Sequence, residues 1–190
     1  MIMPDTWSWR RIAAGAAAHS SLLGFAFAPF NVWPLVFLAP VPLVMVALRA
    51  SNWKTLAAWV FGMEFLRWLY VQSWVGEISV AGWPPMAAYL ALYSVAMALL
   101  IRRFATSRRF GSVPFAITMP VVLLGVEFLR GSIMLGGYPW YLLGQPMIGW
   151  LPLAQAADLG GAMFISLLPA AIGGSIVDFI LHRRVRVALG

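Results

Sequence analysis

Residues 85–109 read PMAAYLALYSVAMALLIRRFATSRR, an uncharged apolar run over 85–101 set directly against four arginines, Arg102, Arg103, Arg108 and Arg109. The apolar positions are continuous and lack the period of two that a half-buried or barrel strand shows. A helix crossing a hydrocarbon core of about 30 Å takes about 20 residues. The run is nearly that long, and the arginines that end it are what a cytoplasmic loop carries.

The pattern recurs in both directions along the chain. Apolar runs occupy 12–30, 32–48, 53–75, 85–101, 113–129 and 162–181, so the expectation is an all-α, polytopic membrane bundle of about six transmembrane helices, one domain over 1–190. The two shortest runs draw on flanking residues or on local thinning of the bilayer. Composition agrees, with 62% of 190 residues hydrophobic and 10% charged, and a mean hydropathy of +0.86. A soluble domain has roughly 45–50% apolar and 25% charged residues. The ten Trp, seventeen Gly and thirteen Pro suit aromatic belts and spanning helices that tolerate breakers. The first run follows Arg10 and Arg11 and contains AFA at 26–28, the form of a cleavable signal; a second apolar run begins almost at once, so a retained first helix is expected.

Loop charge sets the orientation. Arg10 and Arg11 precede the first run, Arg49 and Lys54 separate the second and third, the four arginines of RRFATSRR separate the fourth and fifth, and Arg183, Arg184 and Arg186 follow the sixth. In a six-helix thread all of these share one side, and the opposite loops carry no basic residue beyond the helix-end Arg130. Both termini are therefore expected to be cytoplasmic. The formal charge of +7 is dispersed in these clusters rather than gathered on one face, which argues against a nucleic-acid partner. Cysteine is absent, which removes disulfides, thiolate metal sites and a cysteine nucleophile.

The stretch 131–161, GSIMLGGYPWYLLGQPMIGWLPLAQAADLGG, falls on the outer side of this thread. It is too apolar for a solvated loop and too rich in Gly and Pro for one straight helix. Such a segment lies in the interface or dips back among helices, where protein or a wet cavity satisfies its backbone. Tyr138, Trp140, Tyr141 and Trp150 suit an interface, and an aromatic belt without further role is the simplest reading of them.

Two apolar runs each contain EFLR, at 64–67 and 127–130. Residues three apart share a helix face, so each Glu can pair with its own Arg. A lone charge at a helix centre costs on the order of 2.5–3.5 kcal/mol even on the lenient insertion scale, and a counter-charge reduces that. Glu64 lies roughly 16 Å along its run, near mid-membrane, whereas Glu127 and Arg130 lie roughly 21 and 26 Å along theirs and approach the outer surface. For the first pair, fixing helix packing and serving function are both open. The second, beneath the outer segment, is placed to meet a headgroup or an acyl carbonyl. His19, beside Ser20 and Ser21, reads as an interhelical hydrogen-bonding residue, Asp158 as an N-cap, Asp178 as a partner of Arg183 or Arg184, and Gln155 as an amide in need of a partner. No nucleophile–base frame, metal cluster or phosphate cradle emerges, so no catalytic residue, metal or cofactor is expected.

GFAFAPFNVWPL at 24–35, WLYVQ at 68–72, VEFLRG at 126–131, GGYPWYLLG at 136–144 and PLAQAADLGG at 152–161 occur in the order of, and resemble, the membrane domain of bacterial apolipoprotein N-acyltransferase. The resemblance covers nearly the whole chain. It implies a multi-pass domain of the bacterial inner membrane, opening to the outer leaflet. The family moves an acyl chain from a phospholipid to the N-terminal amine of a diacylglyceryl lipoprotein, through a thioester on a nitrilase-like domain with a Glu-Lys-Cys triad. A thiolate nucleophile is chemically apt for that transfer. The resemblance also implies an outer substrate-binding site at Glu127, Arg130, Tyr138, Pro139, Trp140, Gln155 and Trp68; the first EFLR has no counterpart in the family pattern, and 74–84 is more widely spaced than it.

With no Cys and no segment matching the catalytic domain, the chain is expected to be a truncated or split product. It would bind or position phospholipid or lipoprotein for a separate nitrilase-like chain. A second reading is a small transporter or lipid-handling protein using Glu64 and Arg67 at midplane, and a third an inert remnant.

Overall fold

The computed structural model describes residues 6–133 and 136–189, with side chains through 181. Every regular element among them is helical. In chain order these are α1 (Trp9–Ala26), a 3-10 turn (Trp33–Phe37), α2 (Pro40–Arg49), α3 (Trp53–Val71), α4 (Ser73–Ile78), α5 (Trp83–Thr106), α6 (Phe115–Phe128), a π turn (Leu129–Ile133), a 3-10 turn (Gln145–Gly149), α7 (Leu151–Ala154) and α8 (Ala157–Leu189). Three of them, Trp83–Thr106, Phe115–Ile133 and Ala157–Leu181, are long and apolar enough to cross a membrane by length and composition. Of the other long helices, α1 carries Arg10 and Arg11, and α3 carries Lys54, Glu64 and Arg67.

Helix ends differ from the apolar runs where local chemistry intervenes. The run 32–48 is not one α-helix, because Pro40 and Pro42 have no N–H to donate to the preceding turn. The run 53–75 breaks at Gln72, whose backbone leaves the helical region at φ −110° and ψ 22°, and α4 restarts at Ser73. Inside α8 the chain is broken at Gly160 and Gly161, the latter with φ of 76°. The outer stretch, expected to be non-helical in part, holds the second 3-10 turn and the short α7.

An arc of helices, α1–α3–α5–α6–α8, packs neighbour on neighbour around α2, which touches α1, α5 and α8. Short α2 is the plug of this arc, with Leu43, Val44, Val46 and Ala47 fully buried. Outward faces are apolar instead: Leu66, Leu92, Ile117, Val121 and Phe179 are all exposed. A surface of that kind suits hydrocarbon rather than water.

Two caps hold the ends in place. Asn52 accepts from the Thr55 amide at 2.9 Å to start α3. The start of α6 follows Pro114, which has no capping side chain, and Asp178 of α8 supplies one from across the bundle, accepting from the Phe115 amide at 2.9 Å and the Ala116 amide at 3.0 Å. Its expected partners Arg183 and Arg184 lie outside the described side chains. Gly174 permits this approach, because a Cβ there would collide with the Phe115 carbonyl oxygen.

The ends of the bundle differ in chemistry. The Trp7 amide donates to Arg49 O at 2.8 Å, and Arg102 Nη1 donates to Ala50 O at 2.6 Å. The N-terminal segment, the α2–α3 turn and the end of α5 thus share one basic end. At the other, Trp33 stacks on Trp150 at 5.9 Å, and Tyr141 donates to Val71 O at 2.7 Å.

Candidate functional site

The first EFLR forms a closed polar knot. Glu64, with no exposed surface, accepts from Ser20 of α1 at 2.7 Å, from Ser94 of α5 at 2.8 Å and from Arg67 Nη2 at 2.7 Å. Arg67 Nε adds contacts of 3.1 Å to both oxygens. His19 approaches the same carboxylate at 3.9 Å, too far for a hydrogen bond, while its Nδ1 lies 2.7 Å from Ala39 O. A carbonyl only accepts, so Nδ1 carries the proton and donates. One acid therefore joins α1, α3 and α5, and His19 extends the tie to the start of α2.

The second EFLR behaves differently from its expected pairing. Glu127 and Arg130 form no ion pair within 4 Å; among the described residues the ion pairs involve Glu64. The helix passes into the π turn between them, and its slower winding rotates Arg130 off the face of Glu127. Nor do they open to the outside, since both are buried. Each instead holds, by its backbone, the hairpin of residues 137–145 within the 131–161 stretch. Glu127 Oε1 accepts from the Leu143 amide at 2.6 Å, and Arg130 Nη2 donates to Trp140 O at 3.1 Å and Tyr141 O at 3.2 Å. The Tyr138 amide donates to Arg130 O at 2.6 Å, and Ser166 of α8 accepts from the Gly144 amide at 2.9 Å.

Gly137 makes that fold-back feasible. Its φ is 89°, and a Cβ would collide with the Gly131 carbonyl oxygen, so both the left-handed backbone and the close approach require glycine.

Trp68, almost wholly buried, is where the two motifs meet. The Arg67 guanidinium sits 4.3 Å from its ring centroid and that of Arg130 5.6 Å, while Tyr141 and Tyr138 meet it edge-on at 5.5 and 6.4 Å. A ring face attracts cations and a ring edge suits a second aromatic, so Trp68 serves as a common platform. The Tyr138 hydroxyl accepts from Gln72 Nε2 at 2.5 Å. Burial pushes that hydroxyl above the usual tyrosine range, so it stays neutral.

Five of the expected site residues are thereby brought together: Glu127, Arg130, Tyr138, Trp140 and Trp68. Pro139 is exposed on the hairpin, its carbonyl accepting from Gln145 Nε2 at 3.2 Å. Gln155 stands apart, exposed after α7, and among the described residues no hydrogen bond joins its amide to the cluster. Trp140 is 63% exposed. Gln72, Tyr141 and Ser166 also belong to the assembly; of these, Gln72 had a sequence signal as the polar end of WLYVQ and Tyr141 as part of GGYPWYLLG, and Ser166 had none.

Two spaces adjoin Arg67. An apolar groove of about 420 Å³ between α1 and α3 is lined by Phe25, Phe30, Leu66 and Tyr70. Inside the bundle, a cavity of about 50 Å³ is bordered by His19, Arg67, Glu127 and Arg130. Among the described residues there is no group of His, Asp and Glu able to hold a metal ion.

The chain is 31% identical over 196 residues to an apolipoprotein N-acyltransferase of Vibrio cholerae, covering 96% of this chain and 37% of that protein. It is 30% identical over 184 residues to that of Vibrio vulnificus, covering 89% and 35%, and 29% identical over 184 residues to that of Rhodopirellula baltica, covering 89% and 31%. The chain thus spans about a third of the length of the curated relatives it matches. The family model described as apolipoprotein N-acyltransferase N-terminal domain matches residues 19–175, and the chain belongs to that family.

Proposed function

We propose that this chain is the lipid-positioning membrane part of an apolipoprotein N-acyltransferase, a single domain crossing the bacterial inner membrane six times with both termini cytoplasmic. The basic end of the bundle supports that orientation, since Arg49, Lys54 and Arg102 then face the cytoplasm. The hairpin of 137–145 faces the outer leaflet, where the relatives' substrates, a phospholipid donor and a diacylglyceryl lipoprotein, would be met.

The observation that carries the reading is the hairpin itself. Arg130 and Glu127 are spent on holding its backbone, so it is a rigid platform whose exposed part is Pro139 and Trp140. Rigid placement is what a site that orients a substrate needs. The groove between α1 and α3 starts beside the same outer turn of α3 and suits an alkyl chain. Bond making belongs to a nitrilase-like region with its own thiol, because these 190 residues hold no cysteine on which a thioester can form.

Photo-crosslinking tests the assignment. The protein in vesicles of phospholipid carrying a diazirine near the acyl carbonyl should label 138–141, Phe25 and Tyr70 above the level of Leu92 and Phe179, which face lipid elsewhere. Arg130→Ala should remove the excess on the hairpin. Equal labelling at all exposed apolar positions would overturn the reading.

A further inference from the structure

We propose that the internal cavity is a hydration site, a cluster of ordered waters that links α1 to the outer hairpin through the two EFLR motifs. The polar side chains of its wall include His19 of α1, Arg67 of α3, and Glu127 and Arg130 at the end of α6, with Tyr93 and Ser94 of α5 and Tyr141 of the hairpin beside them. Three of these carry a buried polar atom with no hydrogen-bonding partner in the protein: His19 Nε2, Glu127 Oε2 and Arg130 Nε. All three residues are at least nine-tenths buried, at 4%, 4% and 6% exposure.

A buried polar atom left without a partner costs about 1–3 kcal/mol, more when charged. Three around one space are a heavy penalty unless something fills it. Chemistry selects the occupant. His19 Nδ1 is committed to Ala39 O, so in the neutral ring Nε2 offers a lone pair; Glu127 Oε2 accepts; Arg130 Nε donates. Two acceptors and one donor, none bonded to another, are the complement of a molecule that both donates and accepts. A single inorganic ion would satisfy one sign and oppose the other, because the wall holds both a carboxylate, Glu127, and the guanidinium of Arg130, while that of Arg67 is already paired with Glu64.

Size agrees. A water needs about 10–15 Å³ of such space and two to four polar partners, so about 50 Å³ holds a small cluster. In hydrocarbon surroundings no bulk solvent replaces these contacts, so the cluster is part of the fold. It gives the second motif, whose acid and base do not touch, the bridge that the first makes directly.

Radiolytic footprinting on the intact chain in nanodiscs tests the proposal, since hydroxyl radicals formed from trapped water oxidise methionine beside it to the sulfoxide. Met119 lines the cavity at 1% exposure. Met147, fully buried elsewhere, is the dry control. Met119 should oxidise several-fold faster than Met147, and His19→Leu, which removes one acceptor, should bring the two rates closer. Equal rates in the unaltered protein would show the cavity dry and overturn the proposal. A Met119 rate unchanged by His19→Leu would remove histidine from the water's partners and with it the link to α1.

Discussion

Removing Glu64 tests the polar knot most severely. Its carboxylate receives hydrogen bonds from Ser20, Ser94 and Arg67 in a site without exposed surface. In Glu64→Leu the two hydroxyls can turn to carbonyls of their own helices, so their loss is small. Arg67 cannot reach bulk solvent: its side chain is 6% exposed, and a few waters in the adjoining cavity replace a paired carboxylate only in part. Breaking a buried pair from one side costs about 3–5 kcal/mol, in line with about 2.5–3.5 kcal/mol for a lone central charge on the insertion scale. In Glu64→Leu/Arg67→Met no charge remains, and the main loss is the cation–π contact with Trp68, about 2 kcal/mol when desolvated. The double variant should therefore be more stable than Glu64→Leu alone, with a coupling energy of about 2 kcal/mol or more. Reversible unfolding in mixed micelles on titration with SDS measures all four corners of the cycle. A Glu64→Leu loss under about 1 kcal/mol, or a double variant that loses the sum of the singles, would refute the reasoning.

Other consequences follow from single contacts. Asp178→Ala strips α6 of its cap and should cost about 1 kcal/mol or somewhat more, read in the same unfolding assay, with Asp178→Asn losing less. Gly137→Ala should expose the outer hairpin to limited proteolysis while the helices stay protected, since the Cβ strikes Gly131 O. Tyr138→Phe leaves the buried Gln72 amide without its partner, and thermal denaturation should show a loss of about 1–3 kcal/mol.

The fold class was legible because spanning helices must satisfy their backbone internally and therefore write themselves as long apolar runs. Run 85–101 became α5 with one more turn at its C-terminal side, and 162–181 lies within α8. Breaks were less legible. Those at Pro40 and Gln72 depend on how neighbouring helices catch the freed backbone, which apolar periodicity does not encode. The acid–base spacing of EFLR foretold the Glu64–Arg67 pair, because an α-helix fixes i and i+3 on one face. The same four letters misled at 127–130, where a π turn intervenes and the hairpin offers backbone groups as better partners. The place of Glu127 and Arg130 beneath the 131–161 stretch was expected from position along the run, but not that 136–144 folds back closely enough to bury both side chains. Gln155 and the aromatic hairpin were singled out alike, but only the hairpin has the Gly137 turn and the Arg130 anchor that bring it to α3.

Absence of cysteine from the chain makes thiol scanning a clean measure of how it threads the membrane. Trp140→Cys and Ser107→Cys, each the sole thiol in its variant, should be probed with a membrane-impermeant maleimide in intact spheroplasts and again after permeabilisation. Six crossings with an outward hairpin require Trp140→Cys to label in intact cells and Ser107→Cys only once the membrane is opened. The reverse pattern, or labelling of both from one side, would contradict it.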